Sequence, residues 1–317
     1  MSLFTRKAMI GLVAALLVLA ACQPASTSPS PSAGGNASAG ASASQAAAST
    51  AASPVATVPT DQLILAGNLF VCIDVPYPPQ EAFAPDGTII GSDPDVASEI
   101  AKRLGLEVHF VNTVFTVIIP ALDGGKCDII VSAQNINADR IKQVDMVPYF
   151  KAGQSFVVAK GNPKGITSKD GLCGNTVAVQ NGTTELDYLQ GTSDYKGAGL
   201  SDACVKAGKA AINIKQFDKD NDALLALQSG TADAYFADSP AAGYAVTNHS
   251  SQFELSGVTL DVAIEGISVA KNHTKLRDAV KAVMLSMIGD GTYGKILTTW
   301  GVSDGGLTAD QVNSGKL

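Results

Sequence analysis

Val131-Ser-Ala-Gln-Asn-Ile-Asn-Ala-Asp-Arg140 is the stretch that decides the fold. It begins inside an apolar run, Cys127-Asp-Ile-Ile-Val-Ser-Ala133, that reads as a buried strand. Arg140, a few residues past that strand, lies where the crevice at the carboxyl end of a parallel sheet takes ligands in open α/β folds. Its planar fork of donors suits a carboxylate bidentately. An arginine considered alone is more often half of a surface ion pair. Ligand-grade groups at the matching places elsewhere in the chain outweigh that alternative.

Working outward, strands and helices alternate. Residues 69–74 read as a buried strand, and residues 83–90 as a hairpin turning at Asp86-Gly87. Asp93 is expected to cap a helix that has Pro94 in its first position and buries Val96, Ile100 and Leu104. A strand over 107–111, a helix over 117–123 and the strand leading to Arg140 complete the first series. The second series has strands at 176–179, 212–216 and 233–236, with helices at 183–190, 220–229 and 240–247. Two such series imply an α/β fold of two lobes, each a mostly parallel sheet flanked by helices. A helical tail, 276–300, returns to the first lobe.

The amino terminus sets the compartment. Arg6 and Lys7 precede an apolar run, residues 8–21, too short to span a bilayer comfortably. Basic flank, short apolar core and small exit residues describe a secretory signal over residues 1–21. Leu19-Ala-Ala-Cys22 resembles a bacterial lipobox, which implies cleavage before Cys22 and a lipid on that cysteine. The 38 residues from Gln23 to Thr60 carry no charge and consist almost wholly of Ala, Ser, Pro, Thr and Gly. Such a tract cannot offset its ordering entropy. With Cys22 it makes a lipidated, disordered tether, residues 22–60, whose coil spans about 35 Å. The protein is expected outside the cytoplasm, anchored to the bacterial membrane through that lipid.

Composition excludes several classes. Removing the signal takes away Arg6 and Lys7 and moves the formal charge from −7 to −9, with no basic stripe to meet nucleic acid. His109, His249 and His273 are scattered without metal spacing, so no metal or cofactor is expected. Four cysteines remain besides Cys22, with no C-x-x-C pair, as export predicts. Cys173–Cys204 is the expected disulfide, closing a loop of roughly 30 residues and contributing on the order of 3 kcal/mol. Cys72 with Cys127 would complete the count, yet on neighbouring parallel strands their offset could exceed the roughly 7 Å Cα limit. That pairing stays open. Gly289-Asp-Gly-Thr-Tyr-Gly-Lys295 mimics a phosphate loop, but a helix precedes it and Ile296 replaces the hydroxyl that would meet magnesium. It reads as a helix-breaking turn.

A family is visible in the ordered set Asp74-Val-Pro-Tyr-Pro-Pro79, Gly91-Ser-Asp-Pro-Asp-Val96, Ile119-Pro-Ala-Leu-Asp123, Gln134-Asn-Ile-Asn-Ala-Asp-Arg140, Val144-Asp-Met-Val-Pro-Tyr149, Val177-Ala-Val-Gln-Asn-Gly-Thr-Thr184, Ala237-Asp-Ser-Pro240 and Asp290-Gly-Thr-Tyr293. Nearly all of the chain after Asp61 resembles the extracellular solute-binding proteins of polar amino acid ABC importers, family 3, with a type II periplasmic-binding-protein fold. The resemblance implies two hinge crossings, near residues 152–154 and 263–266. Lobe 1 is then 61–152 with 266–317, and lobe 2 is 153–265. It also implies that Arg140 and Thr184 hold a ligand's α-carboxylate, with the end of the helix at Thr184 helping. Asp238, the Ala133 carbonyl and Asn135 would take the α-ammonium. Tyr77 and Phe115 would cover the ligand, and Asp74 would reach its side chain. The plainer alternatives are capping for Asp238 and Thr184, core packing for Tyr77 and Phe115, and an ion pair for Asp74. Gln80, in a place often held by Phe, puts an amide near the pocket mouth.

The implied function is binding, not catalysis: no nucleophile with a base, metal set or carboxylate dyad is present. A monomeric receptor would close on an amino acid and deliver it to a membrane permease with a cytoplasmic ATPase. The alternative on the same fold is a secreted cyclohexadienyl or arogenate dehydratase.

Overall fold

Apolar along most of its length, Asn68-Leu-Phe-Val-Cys-Ile73 forms the central strand β1 (Asn68–Ile73), with its last three residues fully buried. It belongs to a computed structural model that describes residues 54–192 and 199–317. The signal segment, Cys22 and the tether through residue 53 lie outside the described residues. β1 pairs in parallel with β4 (Glu107–Asn112) and β5 (Ile129–Ile130). Between β1 and β4 come the hairpin β2 (Ala82–Phe83) and β3 (Ile89–Ile90), then helix α1 (Ser92–Leu104). The short helix α2 (Ile118–Asp123) connects β4 to β5.

α1 starts differently from expectation. Gly91, not Asp93, holds the N-cap position, with φ 144°. A Cβ there would come within 2.0 Å of the Gln80 carbonyl oxygen, so only glycine fits. Asp93 lies inside the first turn, and its carboxylate accepts from the Ala133 N–H and the Tyr149 hydroxyl instead of capping.

The second series builds β7 (Thr176–Gln180) in parallel with β8 (Asn213–Phe217) and β9 (Ala234–Asp238). Helices α4 (Thr184–Gln190), α5 (Leu200–Lys206), α6 (Asp220–Gln228) and α7 (Ser239–Asn248) connect or follow these strands. After helix α3 (Arg140–Gln143) the chain enters β6 (Val144–Ala159), which pairs antiparallel with β10 (Phe253–Ala270). These two strands, 16 and 18 residues long, run through both halves. The ladder is therefore continuous, in the order β4-β1-β5-β10-β6-β9-β7-β8, where two separate sheets were expected. Ala152 pairs with Ala263, and the register shifts on either side of that region. Such irregularities weaken and bend a ladder locally.

Packing divides at the same place. Two apolar clusters draw on residues 63–152 and 264–312, while two others draw on residues 156–260. The tail packs into the cluster that holds residues 63–152: α8 (Thr274–Gly289) buries Leu276, Val280, Val283, Met284 and Met287 there. α9 (Thr292–Thr299) and α10 (Ala309–Ser314) follow. Gly291, at φ 80°, turns α8 into α9, so the glycine-rich segment is a helix junction. The last tether residues are docked, with Val55 N–H donating to the Arg103 carbonyl and Ala56 and Val58 packed on the core.

Both disulfides are present. Cys173–Cys204 spans 5.5 Å between Cα atoms and Cys72–Cys127 spans 5.6 Å. The offset anticipated for the second assumed a straight strand. The chain bends at Asp128 and β5 begins only at Ile129, so Cys127 is not held to the ladder register.

In lobe 2 the Tyr235 hydroxyl donates to buried Asp220 at 2.6 Å. Burial lifts the Asp220 carboxyl to about 7, with the Tyr235 bond pulling the other way. An unfolded aspartate titrates near pH 4. This group's contribution is thus fully present below about pH 4 and lost as pH rises through about 7. Asp220→Asn, neutral at every pH, should melt on the order of 5 °C above wild type at about pH 8. The gap should close toward about pH 4. Melting curves whose separation does not change with pH would contradict this.

Candidate ligand-binding site

The parallel strands of both lobes point their carboxyl ends at one cleft, and the site is built on the residues that follow them. Beyond β1 come Asp74 and Tyr77. Past β4 a single helical turn opens with Phe115. After β5 the chain places Ser132, Ala133, Asn135 and Arg140 in succession, with Ala133 in the left-handed region at φ 47°. From lobe 2, β7 ends at Gln180 just before α4, and β9 ends at Asp238. All eight residues singled out in the sequence line one cavity with an empty volume of about 310 Å³.

Arg140 is only 7% exposed. It donates to the Asn135 carbonyl at 2.7 Å and to the Gly182 carbonyl of the other lobe at 3.0 Å. Its guanidinium carbon stands 5.3 Å from the centre of the Phe115 ring, over its face. These contacts hold the fork in one plane. Phe115 is thereby a platform for the arginine as well as a wall of the cavity.

The capping alternatives separate cleanly. Thr183 is the N-cap of α4, its hydroxyl accepting from the Leu186 N–H at 3.3 Å. Thr184 is released from capping, and its hydroxyl accepts from Asn135 and Gln154, each at 2.8 Å. Asp238 occupies the N-cap position of α7 but makes no capping bond. Its carboxylate accepts from the Tyr77 hydroxyl at 3.0 Å and from Asn135 at 3.5 Å. Tyr77 also accepts from the Asp238 N–H and packs against a lobe 2 cluster, so it both lines the cavity and seals it.

Asp74 lines the cavity too, but both its oxygens are engaged. Lys219 pairs with one, and Gln180 donates to the other at 2.7 Å. Burial raises its pKa against those two partners. Gln80 does not reach the pocket mouth. It is fully buried and donates to Glu265 of β10 at 2.7 Å.

The sequence reading missed Glu81, Ser132, Gln180, Thr183 and Glu185, which also line the cavity. Gln180, Thr183 and Glu185 flank Thr184 in the chain, and that adjacency was a usable signal. Glu81 had none, because its place depends on a long-range bond from the Ser132 hydroxyl at 2.8 Å. Burial dominates the acids here. It raises Asp238 and holds Glu185 and Glu81 well above the usual carboxylate range. Between the hydrogen-bonded neighbours Glu185 and Asp238, Glu185 keeps the proton, because the charge of Asp238 adds to its burial. The arrangement offers a cation on the lobe 1 wall and carboxyl groups on the lobe 2 wall, with polar bonds between the walls. It can clasp a small zwitterion.

Comparison with known proteins agrees. The description "Bacterial extracellular solute-binding proteins, family 3" matches residues 69–303. An arginine-binding protein of Corynebacterium glutamicum is 30% identical over 262 residues, covering 83% of each chain. Solved structures of ancestral arginine-binding proteins, one bound to arginine and one to glutamine, have TM-scores of 0.66 at 34% identity. They cover 74% of this chain and 98% of their own. An ancestral amino acid-binding protein, described as a precursor of cyclohexadienyl dehydratase, has a TM-score of 0.60 at 33% identity and covers 74% of this chain and 95% of its own. The chain therefore belongs to the bacterial extracellular solute-binding proteins of family 3, binding proteins and not enzymes, and has their two-lobed periplasmic-binding-protein fold.

Proposed function

We propose that this protein is the receptor of an ABC importer, closing on one amino acid and passing it to the permease. The carrying observation is Arg140 on one wall and Asp238 on the other wall of a single cavity. In this reading the α-carboxylate lies against Arg140 and the Thr184 backbone and hydroxyl. The α-ammonium lies against Asp238, the Ala133 carbonyl and Asn135. Tyr77 and Phe115 cover it, and Asp74 with its Lys219 partner borders the side-chain end. A cation facing one end and an anion facing the other require an α-amino acid and leave its side chain open.

Closure follows from the hinge. The bonds from Asn135 to Thr184, Tyr77 to Asp238 and Arg140 to Gly182 join the lobes only when the lobes approach. A ligand that touches both walls binds that arrangement better and shifts the population toward it. The lobes would pivot at β6 and β10 near residues 152–154 and 263–266, which sets lobe 1 as 61–152 with 266–317 and lobe 2 as 153–265. A lipid on Cys22 and the tether would keep the receptor, a monomer, at the membrane, near a permease powered by a cytoplasmic ATPase. The dehydratase alternative needs a proton donor placed at a departing hydroxyl.

Arg140→Ala should weaken amino acid binding by about 2–5 kcal/mol, the cost of removing one partner from a buried charged pair. Asp238→Asn should weaken it in the same direction. Calorimetry of the purified protein against the common amino acids reads both, and wild-type affinity in Arg140→Ala would overturn the carboxylate assignment. Incubation with arogenate or prephenate should leave both unchanged, and turnover of either would make the protein an enzyme.

A further inference from the structure

We infer that Gln154, a β6 residue that the ligand does not touch, aims the Thr184 hydroxyl proton at the ligand's α-carboxylate. The inference rests on the reading that an amino acid lies between Arg140 and Asp238, and deepens it. Gln154 is 2% exposed. It lines a second cavity together with Asn135 and Thr184 and has no part in the wall of the ligand cavity. Its Nε2 donates to the Thr184 hydroxyl at 2.8 Å, while its Oε1 is buried and makes no hydrogen bond within the protein. Burying an amide with one end unmatched is costly, and a leucine would fill similar space without that cost. Among the described residues, the bond to Thr184 is the one that this side chain makes.

A hydroxyl has one proton to donate and two lone pairs that accept. Thr184 uses all three. Gln154 and Asn135 fill its lone pairs, each at 2.8 Å, and its proton goes to Glu185 Oε2 at 3.3 Å. With both lone pairs taken, the oxygen can meet a further group only by donating to it. An ionised carboxylate accepts and cannot donate, so it is the partner that such a hydroxyl suits. A bond to that charge is shorter and stronger than a bond to a neutral acceptor. The Glu185 contact is long, and Thr184 and Glu185 both line the ligand cavity, so the proton already points along its wall.

Place in the fold gives Gln154 this role. In the division proposed above, Gln154 and Thr184 share lobe 2, so their bond does not depend on closure. Asn135 comes from lobe 1 and fills the second lone pair only when the lobes meet. Gln154 also stands opposite Asp238 in the antiparallel pairing of β6 with β9. Its side chain thus holds the donor for the α-carboxylate, and its backbone holds the strand end that carries the acceptor for the α-ammonium. One residue fixes the spacing of the two poles on the lobe 2 wall.

The test is calorimetry of the purified protein with whichever common amino acid binds it tightest, and with the α-carboxamide of that amino acid. Gln154→Leu, which keeps the bulk and removes the donor, should weaken the amino acid by about 5- to 30-fold. In a Thr184→Val background the same substitution should change affinity by less than about twofold, because its target is gone. Gln154→Glu replaces the donor by a carboxylate that itself takes the Thr184 proton, so the preference for the amino acid over its α-carboxamide should narrow by about tenfold. Wild-type affinity in Gln154→Leu, or an equal loss in both backgrounds, would overturn the inference and leave the receptor reading standing. An unchanged preference in Gln154→Glu would do the same. If Gln154→Leu does not fold, Gln154→Glu enters the same cycle with the same two outcomes. NMR needs no Gln154 variant: Thr184→Val should shift the Gln154 side-chain amide resonance, and an unmoved resonance would also overturn the inference. Binding of no amino acid would overturn both readings.

Discussion

Arg140 and Asp238 come from different lobes, are 7% and 3% exposed, and stand on opposite walls of one cavity. A buried charge is tolerated only where dipoles or an opposite charge meet it. Arg140 is met by two carbonyls and an aromatic face, and Asp238 by a tyrosine hydroxyl and an amide. Each set includes a group from the opposite lobe, Gly182 for the arginine and Tyr77 for the aspartate. The solvation of each charge thus depends on the lobes being together.

A second group of acids ties the lobe 1 wall to β10. Glu81, Asp93 and Glu265 are all buried, and Glu265 belongs to β10. The Tyr149 hydroxyl lies 2.6 Å from Asp93 and 3.3 Å from Glu265, and Gln80 donates to Glu265. Asp93 in turn accepts from the Ala133 N–H, which fixes the loop that carries Asn135 and Arg140. Burial pushes Asp93 up to about 6 and holds Glu81 and Glu265 well above the usual range. A protonated Glu81 can donate to Asp93 as an ionised one cannot. The wall, its loop and β10 are one hydrogen-bonded body.

Much of this was legible in the chain. Strand and helix alternation follows from local periodicity, which is why β1, α1, β4, β7 and α6 lie close to where the pattern put them. The eight candidate residues, whose roles the family resemblance implied, come together because each follows the carboxyl end of a strand or a turn beside one. What escaped depends on contacts distant in sequence. The pairing of Lys219 with Asp74, the burial of Gln80 against Glu265 and the use of Asp93 away from its helix cap are all of this kind. The unbroken eight-strand ladder was hidden for a related reason: β6 and β10 pair across about a hundred residues of chain, beyond the reach of any periodicity. A bend of one residue at Asp128 decided the Cys72–Cys127 bridge, and no pattern announces such a bend.

The account stands on the orientation of a zwitterion in this cleft, and a crystal structure of the protein with a bound amino acid measures that directly. The account expects the α-carboxylate within hydrogen-bonding distance of the Arg140 guanidinium and Thr184, and the α-ammonium within the same distance of Asp238. An amino acid seated outside this cleft, or lying within it with its two ends exchanged, would contradict it.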